Sequence, residues 1–336
     1  MSLTALAAVM LFACSEAKSD ESAHERDVFA MDTFMTMKAY GSGAEKALGS
    51  AEDRIHELED ELSVTEQDSD ISRINSAGGE AVSVSADTAL LVEAGVSYWQ
   101  ETAGALDISV YPVLAEWGFT TGEYHVPDAE TIARLLEKVN AGAVEVGADT
   151  VQIPADSMID LGALAKGYTG DEIMAIFRDN GVKSAMISLG GNVQALGSKP
   201  DGSDWRVGIK DPFTPDTNMC VVSISDKAVV TSGNYERYFT GDDGTVYWHI
   251  IDPKDGYPAD NGLVSVTVIG DSGLRCDALS TALFVAGTDE AQTYLREHTD
   301  VDAVLVTDDG RLLYTDGIAD KLENVSSMPA EVIARD

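Results

Sequence analysis

The chain has 336 residues and a mass of 35.7 kDa; hydrophobic residues make up 44% of it and charged residues 24%. This length suits one large domain or two closely packed ones, and the composition excludes a disordered or collagen-like chain. The 58 acidic and 22 basic residues give a formal charge of −36 and a pI near 4.2. A field of this sign repels nucleic acid, and an anionic substrate would need a cation between it and the protein.

The N-terminal residues resemble the signal of a bacterial lipoprotein. Residues 1–13 are small and apolar and end in Leu-Phe-Ala directly before Cys14, the pattern at which a signal peptidase cuts and lipid is attached to the cysteine. We therefore predict a signal peptide over 1–13, a polar tether over 14–27 and a folded domain over 28–336. This arrangement places the domain in the bacterial cell envelope, anchored through lipid to the inner membrane on its periplasmic side. A frayed apolar N-terminus is the alternative, because no Lys or Arg precedes the apolar run.

In the first half of the domain, the pattern of apolar residues predicts mainly helices. Residues 28–40 form a strand-like apolar run, and residues 43–62 carry apolar side chains at helical spacing. A turn or cap at 68–70 follows. Further helices are predicted over 86–103 and 127–139, where glycine or asparagine marks the end.

The second half is predicted to contain more strands. Strands are predicted at 143–153, 158–162, 184–189, 205–210, 219–225, 227–231, 245–251 and 263–269, with a hairpin at 302–315. Helices are predicted at 164–180, 277–287 and 288–299. Helices early in the chain and hairpin-connected strands late in the chain predict an α+β fold.

Several common sites are absent from the sequence. There is no P-loop, no dinucleotide-binding glycine fingerprint, no HExxH zinc motif and no GxSxG nucleophile elbow. The two cysteines of the predicted domain, Cys220 and Cys276, have no CxxC spacing, which argues against a disulfide framework or a zinc ribbon.

The junction at residues 158–167 carries an acid and a base between a predicted strand and a predicted helix. Asp160 ends the strand, a glycine turn follows, and Lys166 lies in the first turn of the helix. Such a turn leaves main-chain groups unpaired at an electropositive helix N-terminus, which suits a phosphate or a polar ring. The alternative is an Asp that caps the helix and a Lys on its surface.

Asp277 and Thr281 are four residues apart in a predicted helix, so their oxygen atoms lie on one face. Both are hard ligands, too few to hold calcium tightly but suited to magnesium, which takes one or two protein ligands together with water and phosphate. The alternative is a capping Asp and a Thr that bonds to a main-chain carbonyl.

Seven segments between about residue 28 and about residue 315 form an ordered set. They are 62–75 (LSVTEQDSDISRIN), 104–119 (GALDISVYPVLAEWGF), 159–168 (IDLGALAKGY), 187–197 (ISLGGNVQALG), 231–239 (TSGNYERYF), 249–258 (HIIDPKDGYP) and 277–287 (DALSTALFVAG). In order and spacing this set resembles the ApbE family of periplasmic flavin transferases.

The resemblance implies an ApbE-like α+β fold, related to the T-fold, with mostly antiparallel sheets and helices packed on them. It implies an enzyme that cleaves FAD, joins the FMN half through a phosphoester to a Thr or Ser of a target protein, and releases AMP. Mg²⁺ is the implied cofactor, and FAD is a substrate. The implied targets are flavoprotein subunits of sodium-pumping or related electron-transfer complexes.

Carried over by motif, the residues with an implied role form three groups. The implied metal ligands are the main chain of Ala163 and the side chains of Asp277, Ser280 and Thr281. The implied FAD-binding residues are Met31, Ala105, Leu106, Asp107, Asp160, Lys166 and Ile251. The implied catalytic residues are Asp277 and His249, the latter to help deprotonate the attacking hydroxyl.

The sequence departs from the family pattern at several turns. Met31-Asp32-Thr33 stands where the family commonly has Met-Gly-Thr, and Asp107-Ile108-Ser109 stands where Asp-Pro-Thr is common. Thr65 stands where an aromatic residue is common, and loss of a ring that stacks on the flavin would admit water. Some relatives hydrolyse FAD to FMN and AMP, so an FAD pyrophosphatase is one alternative function. A flavin-binding lipoprotein without turnover is another.

Overall fold

The structure, a computed structural model, describes residues 22–335. The predicted signal peptide, Cys14 and the tether residues up to 21 lie outside them. Within the described residues, no helix is both long and apolar enough to cross a membrane.

Helices dominate the first half of the described chain. The α-helices are α1 (Ala44–Leu62), α2 (Asp70–Ser76), α3 (Ala86–Glu101), α4 (Tyr111–Glu116), α5 (Ala129–Leu136), α6 (Ala165–Asp179), α7 (Gly273–Ala286) and α8 (Thr288–Glu297). Short 3-10 helices lie at Ile108–Val110, Ala141–Ala143 and Asp316–Ile318. Ser69, Ser85 and Asp128 cap α2, α3 and α5 by accepting a hydrogen bond from the main-chain N–H three residues further on. The helices predicted at 43–62, 86–103, 127–139 and 164–180 are confirmed, with small shifts at their ends.

Strands dominate the second half. The strands are β1 (Ala23–Ala30), β2 (Thr33–Tyr40), β3 (Val82–Ser83), β4 (Glu145–Val146), β5 (Thr150–Gln152), β6 (Ala185–Leu189), β7 (Asn192–Leu196), β8 (Trp205–Asp211), β9 (Thr214–Ile224), β10 (Ala228–Gly233), β11 (Tyr238–Thr240), β12 (Val246–Trp248), β13 (Leu263–Gly270), β14 (Asp302–Thr307), β15 (Leu312–Thr315), β16 (Leu322–Asn324) and β17 (Ala330–Ile333).

A nine-stranded sheet organises the molecule. Its order is β1-β2-β6-β7-β10-β13-β14-β15-β17, and every pair is antiparallel except β15 with β17. Helices α1 and α6 pack on one face of β1, β2 and β6, where Met35, Met37 and Phe177 are buried. Helix α7 packs beside α6, against β10 and β13. A three-stranded sheet, β16-β9-β8, covers the opposite face through residues such as Trp205 and Val222. The predicted α+β fold with mostly antiparallel sheets is confirmed.

The predicted strand at 28–40 is a hairpin that starts earlier than predicted. Strand β1 begins at Ala23, so residues 23–27, predicted to belong to the tether, are part of the sheet. Residues 23–27 show little apolar alternation because β1 is an edge strand whose exposed face is polar. On this strand, Arg26 forms ion pairs with Glu45 and Glu52 of α1.

The strand predicted at 158–162 is wrong, because this segment forms no ladder with another strand. The side chain of Asn75 takes the place of a neighbouring strand. Its Nδ2 donates to the Ile159 carbonyl at 2.9 Å, and its Oδ1 accepts from the Ile159 N–H at 2.7 Å. The Asp160 N–H donates to the Ile108 carbonyl at 2.8 Å, which holds the segment against the 104–119 region.

Candidate active site

Helices α6 and α7 approach so closely that their main chains touch. A Cβ atom on Gly167 would lie 2.3 Å from the Gly273 carbonyl oxygen and 2.7 Å from Asp277 Cβ, so this position requires glycine. The Gly167 N–H donates to Asp277 Oδ2 at 2.8 Å. Gln194 on β7 completes the contact by donating to the Gly167 carbonyl at 3.1 Å. The close approach of the two helices therefore fixes the Asp277 carboxylate.

Asp171, further along α6, holds the start of α7. Its Oδ1 accepts from the Gly273 N–H at 2.6 Å, and its Oδ2 accepts from the Ser272 hydroxyl at 2.9 Å and the Leu274 N–H at 3.1 Å. These bonds satisfy N–H groups that a helix leaves unpaired in its first turn. The Ser272 hydroxyl also caps the helix by accepting from the Arg275 N–H at 3.3 Å, so α7 begins at Gly273, before the predicted start at 277, and Asp277 lies inside the helix.

Asp277 is a buried acid whose neighbours partly offset the effect of burial on its pKa. The residue is 5% exposed, and burial raises the pKa of its carboxyl group. The charge of Lys166, the Gly167 N–H and the carboxamide of Asn192 act in the opposite direction and favour the ionised form. A carboxylate held in this way has little freedom to move and would gain from a further positive charge beside it.

The hydroxyl groups of Ser280 and Thr281 differ in their surroundings. Ser280 is fully buried, and its Oγ donates to the Asp277 carbonyl at 2.9 Å. The Ser232 hydroxyl on β10 lies between the two, 2.8 Å from Ser280 Oγ and 3.2 Å from Thr281 Oγ1. Thr281 is half-buried and lies one helical turn beyond Asp277. The metal-ligand role of Ser280 stays a prediction, and its hydroxyl is already engaged with protein oxygens.

The main chain before α6 offers another oxygen atom. Helix α6 begins at Ala165, so the N–H of Gly167 lies in its first turn, has no partner within the helix and donates to Asp277 instead. Ala163 precedes the helix, so its carbonyl takes no part in the helical hydrogen-bond ladder. A carboxylate, a hydroxyl and a main-chain carbonyl are ligands that Mg²⁺ takes in proteins, so the residues present fit that cation. Within residues 22–335, no three or more His, Cys, Asp or Glu side chains are grouped so that they could hold a metal ion.

Lys166 interacts electrostatically with Asp160, Asp277 and the predicted base, His249. Its charge lowers the pKa values of Asp160, Asp277 and His249, so all three lie within its electrostatic reach. Burial raises the pKa of Asp160, while the Gly162 N–H, which donates to Asp160 Oδ1 at 3.0 Å, opposes that rise. The structure thus brings together four of the residues predicted from separate motifs.

His249 follows β12 and has its ring bonded to the main chain. Nδ1 lies 3.2 Å from the Arg237 carbonyl oxygen, and because a carbonyl can only accept, Nδ1 carries the proton and Nε2 the lone pair. Burial, together with the charges of Arg237 and Lys166, lowers the pKa of His249 to about 4 despite that hydrogen bond. A neutral imidazole with an open Nε2 is the form that accepts a proton near neutral pH.

Comparison with known families covers this whole region. A model of the ApbE family matches residues 31–305, a range that includes Asp160, Lys166, His249 and Asp277. The chain belongs to the ApbE family. The family predicted from the seven segments is thereby confirmed.

Named relatives resemble this ApbE family chain over most of their length. An FAD:protein FMN transferase from Treponema pallidum is 35% identical over 279 residues, which cover 78% of this chain and 77% of the relative. One from Klebsiella pneumoniae is 34% identical over 299 residues, covering 86% and 90%.

Solved structures agree with the fold. The crystal structure of the ApbE protein from Thermotoga maritima superposes with a TM-score of 0.83 at 30% identity, covering 88% of this chain and 98% of that one. The apo form of the flavinyl transferase ApbE from Pseudomonas stutzeri gives a TM-score of 0.77 at 30% identity, covering 87% and 93%.

Met31 of this ApbE family chain lies in the β1–β2 turn and reaches α6. Its Sδ is 3.8 Å from the Thr169 hydroxyl, and its N–H donates to Glu59 at 2.6 Å. Met31 and Asp32 both adopt left-handed backbone, with φ of 50° and 57°. The turn that glycine commonly makes in the family therefore forms here without it, and Met31 lies at the sheet end beside α6. Its role in binding FAD stays a prediction.

The segment Ala105–Asp107 and Ile251 are enclosed by protein. Asp107 Oδ1 accepts from the Ser109 N–H and hydroxyl at 2.8 and 2.5 Å, and Oδ2 accepts from the Ala141 N–H at 3.3 Å. The apolar residues of the segment, like Ile251, are at most 6% exposed and lie in hydrophobic clusters. In this conformation the Asp107 carboxylate holds its own loop together, and FAD contact by these four residues stays a prediction.

Four residues that shape the site have no role in the sequence analysis. They are Asp171, Asn192, Gln194 and Ser232, and each contacts or approaches α7 from another element. Asn192 and Ser232 lie in motif segments, but a single polar residue in a strand gives no sign of its partner. The double glycine before Asn192 was the one available signal.

Proposed function

We propose that this ApbE family chain is an FAD:protein FMN transferase. The observation that carries the proposal is its similarity to proteins of that name over most of its length. In the proposed reaction, the hydroxyl oxygen of a Thr or Ser in a target protein attacks the FMN phosphorus of FAD. The phosphoester bond forms as the pyrophosphate bond breaks, AMP leaves, and the hydroxyl proton passes to a base. The proposed targets are flavoprotein subunits of sodium-pumping or related electron-transfer complexes.

The acidic composition makes a cation part of this proposal. A formal charge of −36 opposes the binding of an anionic pyrophosphate. Magnesium, when bound, would neutralise the charge that develops on the pyrophosphate oxygens. Asp277, Thr281 and the Ala163 carbonyl are the groups proposed to hold it, and Lys166 adds a fixed positive charge within reach of Asp277.

His249 is the proposed base. Its Nδ1 is tied to the Arg237 carbonyl, which leaves Nε2 to accept the proton of the attacking hydroxyl. The carbonyl also fixes the ring, so no rotation is needed before the proton is transferred.

We expect the rate of transfer to stay level as the pH falls from 7 to about 5 and to drop only below that value. The neutral imidazole is the active form, and its pKa is lowered from 6.5 to about 4, so protonation removes the base only in strongly acidic solution. The measurement is kcat against pH with FAD, metal and acceptor saturating, with His249→Gln as the variant that has no base. A wild-type midpoint between about 6 and 7 that is absent from the variant would contradict a neutral His249.

Thr65 is proposed to give the enzyme a second activity as an FAD pyrophosphatase. It is exposed on the loop after α1, where its hydroxyl lies 3.0 Å from that of Ser63. A threonine cannot stack on a flavin or keep water from the phosphorus as an aromatic ring would.

Thr65→Tyr is expected to tighten FAD binding by about tenfold and to suppress hydrolysis relative to transfer, because stacking on an aromatic ring contributes roughly 1–3 kcal/mol. The measurement is FAD affinity together with AMP release in the presence and absence of an acceptor. Thr65→Val is the matched control, since it removes the hydroxyl without adding a ring. Equal affinity and equal hydrolysis in Thr65→Tyr and wild type would show that position 65 does not face the flavin.

We also propose that the mature protein is anchored in the cell envelope through lipid on Cys14, on the periplasmic side of the inner membrane. The support is the Leu-Phe-Ala-Cys sequence at residues 11–14 and the polar residues that follow it. Cys14→Ser is expected to move the protein from the membrane fraction to the soluble periplasmic fraction. Fractionation of cells followed by immunoblotting tests this, and unchanged partitioning of the variant would refute the anchor.

Counting AMP against modified acceptor separates the three candidate functions. A transferase releases one AMP for each flavin that becomes attached to the acceptor, and an acceptor with Ala in place of its target Thr removes both products. A pyrophosphatase releases AMP at the same rate with and without acceptor. A lipoprotein that only binds flavin releases none.

A further inference from the structure

Asn192 has a buried side chain whose polar atoms have no hydrogen-bond partner among the described residues. The residue is 2% exposed, and within the described residues neither Nδ2 nor Oδ1 makes a hydrogen bond of acceptable geometry. A buried polar atom without a partner costs about 1–3 kcal/mol, so such atoms are rare in folded proteins. An arrangement of this kind is stable when a group from outside the chain completes it.

The fold directs this side chain at the proposed cation site. Asn192 begins β7 after a two-residue turn in which Gly190 and Gly191 have φ of 60° and 95°, and its register partner across the turn is Leu189. Gln194, two residues on and therefore on the same face of the strand, donates to the Gly167 carbonyl. Asn192 accordingly lies one pleat closer to the sheet end on the face that α6 and α7 cover.

The neighbour of Asn192 on α7 is Asp277. The carboxamide lies close enough to lower the pKa of that carboxyl group, acting after Lys166 and the Gly167 N–H against the effect of burial. A carboxylate can satisfy only the Nδ2–H donor of a carboxamide, because a carboxylate has no hydrogen to offer. Pairing with Asp277 could therefore satisfy Nδ2 but not Oδ1, which needs a donor from another source.

We infer that Asn192 is a positioning residue of the cation site. Its Nδ2 orients the Asp277 carboxylate, and its Oδ1 accepts a hydrogen bond from a water molecule that the cation holds. This inference rests on the proposed function, which takes a divalent cation at Asp277 as part of the reaction. Residues that orient metal ligands in this way change metal affinity by about 10–100-fold when they are replaced.

The test is the binding of Mn²⁺ alone to the full chain, followed by electron paramagnetic resonance in the absence of FAD. The Mn²⁺ that Asp277→Ala fails to bind defines the site and separates it from weak binding elsewhere on the acidic surface. Asn192→Leu, which keeps the volume and removes both polar atoms, is expected to weaken Mn²⁺ binding at this site by about tenfold or more. Its unfolding by urea without metal should match wild type or need more urea, because the carboxamide that it removes makes no hydrogen bond of acceptable geometry in the structure and pairs with Asp277 only when the cation is bound.

Gln194→Leu is the matched control, since it makes the same kind of change on the same face of the same strand. The Gln194 amide is already bonded to Gly167, so this variant should unfold at lower urea than wild type. If Asn192→Leu does not fold, Asn192→Ser provides the same comparison of Mn²⁺ affinity.

Two outcomes would overturn the inference, and they can be told apart. If Asn192→Leu binds Mn²⁺ as tightly as wild type while Asp277→Ala does not, Asn192 only packs, and the proposed function is untouched. If Asp277→Ala binds Mn²⁺ like wild type, the cation is not at Asp277, and both this inference and the proposed metal site are wrong.

Discussion

Asp277→Ala is expected to lower FAD cleavage by about 1000-fold or more while leaving the protein folded. Asp277 is the one carboxylate among the proposed ligands, and charge stabilisation by a metal is worth several kcal/mol, with about 1.4 kcal/mol for each factor of ten in rate. The variant leaves the Gly167 N–H without its acceptor, which should cost about 1–3 kcal/mol of folding stability, less than a domain of this size possesses. The measurement is AMP release at saturating FAD over a range of Mg²⁺ concentrations, with urea unfolding as the check on the fold.

Thr281→Ala is the control for this prediction. It removes a neutral oxygen that water can replace, so the loss should be about tenfold and should be recovered in part at high Mg²⁺. Wild-type turnover by Asp277→Ala at limiting Mg²⁺ would contradict the assignment of the metal.

A single added methyl group at Gly167 is expected to have the second largest effect. The new Cβ would lie 2.3 Å from the Gly273 carbonyl oxygen, so α6 and α7 must move apart. We expect Gly167→Ala to lower the free energy of unfolding by about 3 kcal/mol, as is typical of overpacking. The same movement displaces Asp277 from the Gly167 N–H, so FAD cleavage should fall together with stability.

Gly49→Ala is the matched control because Gly49 also lies inside a helix, α1. A Cβ there would be 3.5 Å from Arg26 Nη1, an ordinary contact, so this variant should be as stable as wild type or gain up to about 1 kcal/mol from better helix propensity. Urea unfolding of both variants decides the matter. Equal stability of Gly167→Ala and Gly49→Ala would show that the two helices do not depend on a close approach at Gly167.

Local periodicity predicted much of the fold because most helices here are amphipathic or capped by their own sequence. In α1, buried residues such as Ala51, Ile55 and Leu58 recur at the spacing of one helical face. The first five residues of β1 escaped prediction because an edge strand with an exposed polar face shows little apolar alternation. The start of α7 escaped it although Ser272 caps the helix locally, and the other first-turn bonds come from Asp171, about one hundred residues earlier in the chain.

For the candidate site too, the sequence could predict the features that a local pattern carries and not those that depend on tertiary packing. The spacing of Asp277 and Thr281 within one helix is a local signal, so the sequence could predict that their oxygens share a face. The hydrogen bond from the Gly167 N–H to Asp277 depends on how two helices pack, which no local pattern contains. Asn192 is a further case, because its importance comes from an unmet hydrogen bond beside α7 that only the tertiary structure shows.

The most direct test of the proposed function is mass spectrometry of an acceptor protein after incubation with this chain, FAD and Mg²⁺. The acceptor should be an electron-transfer flavoprotein subunit from the same organism, expressed without its own flavin. We predict that one Thr or Ser gains the mass of FMN less one water molecule, and that Asp277→Ala leaves the acceptor unmodified. An unmodified acceptor in a reaction that has converted FAD to free FMN and AMP would contradict the transferase assignment and leave an FAD pyrophosphatase.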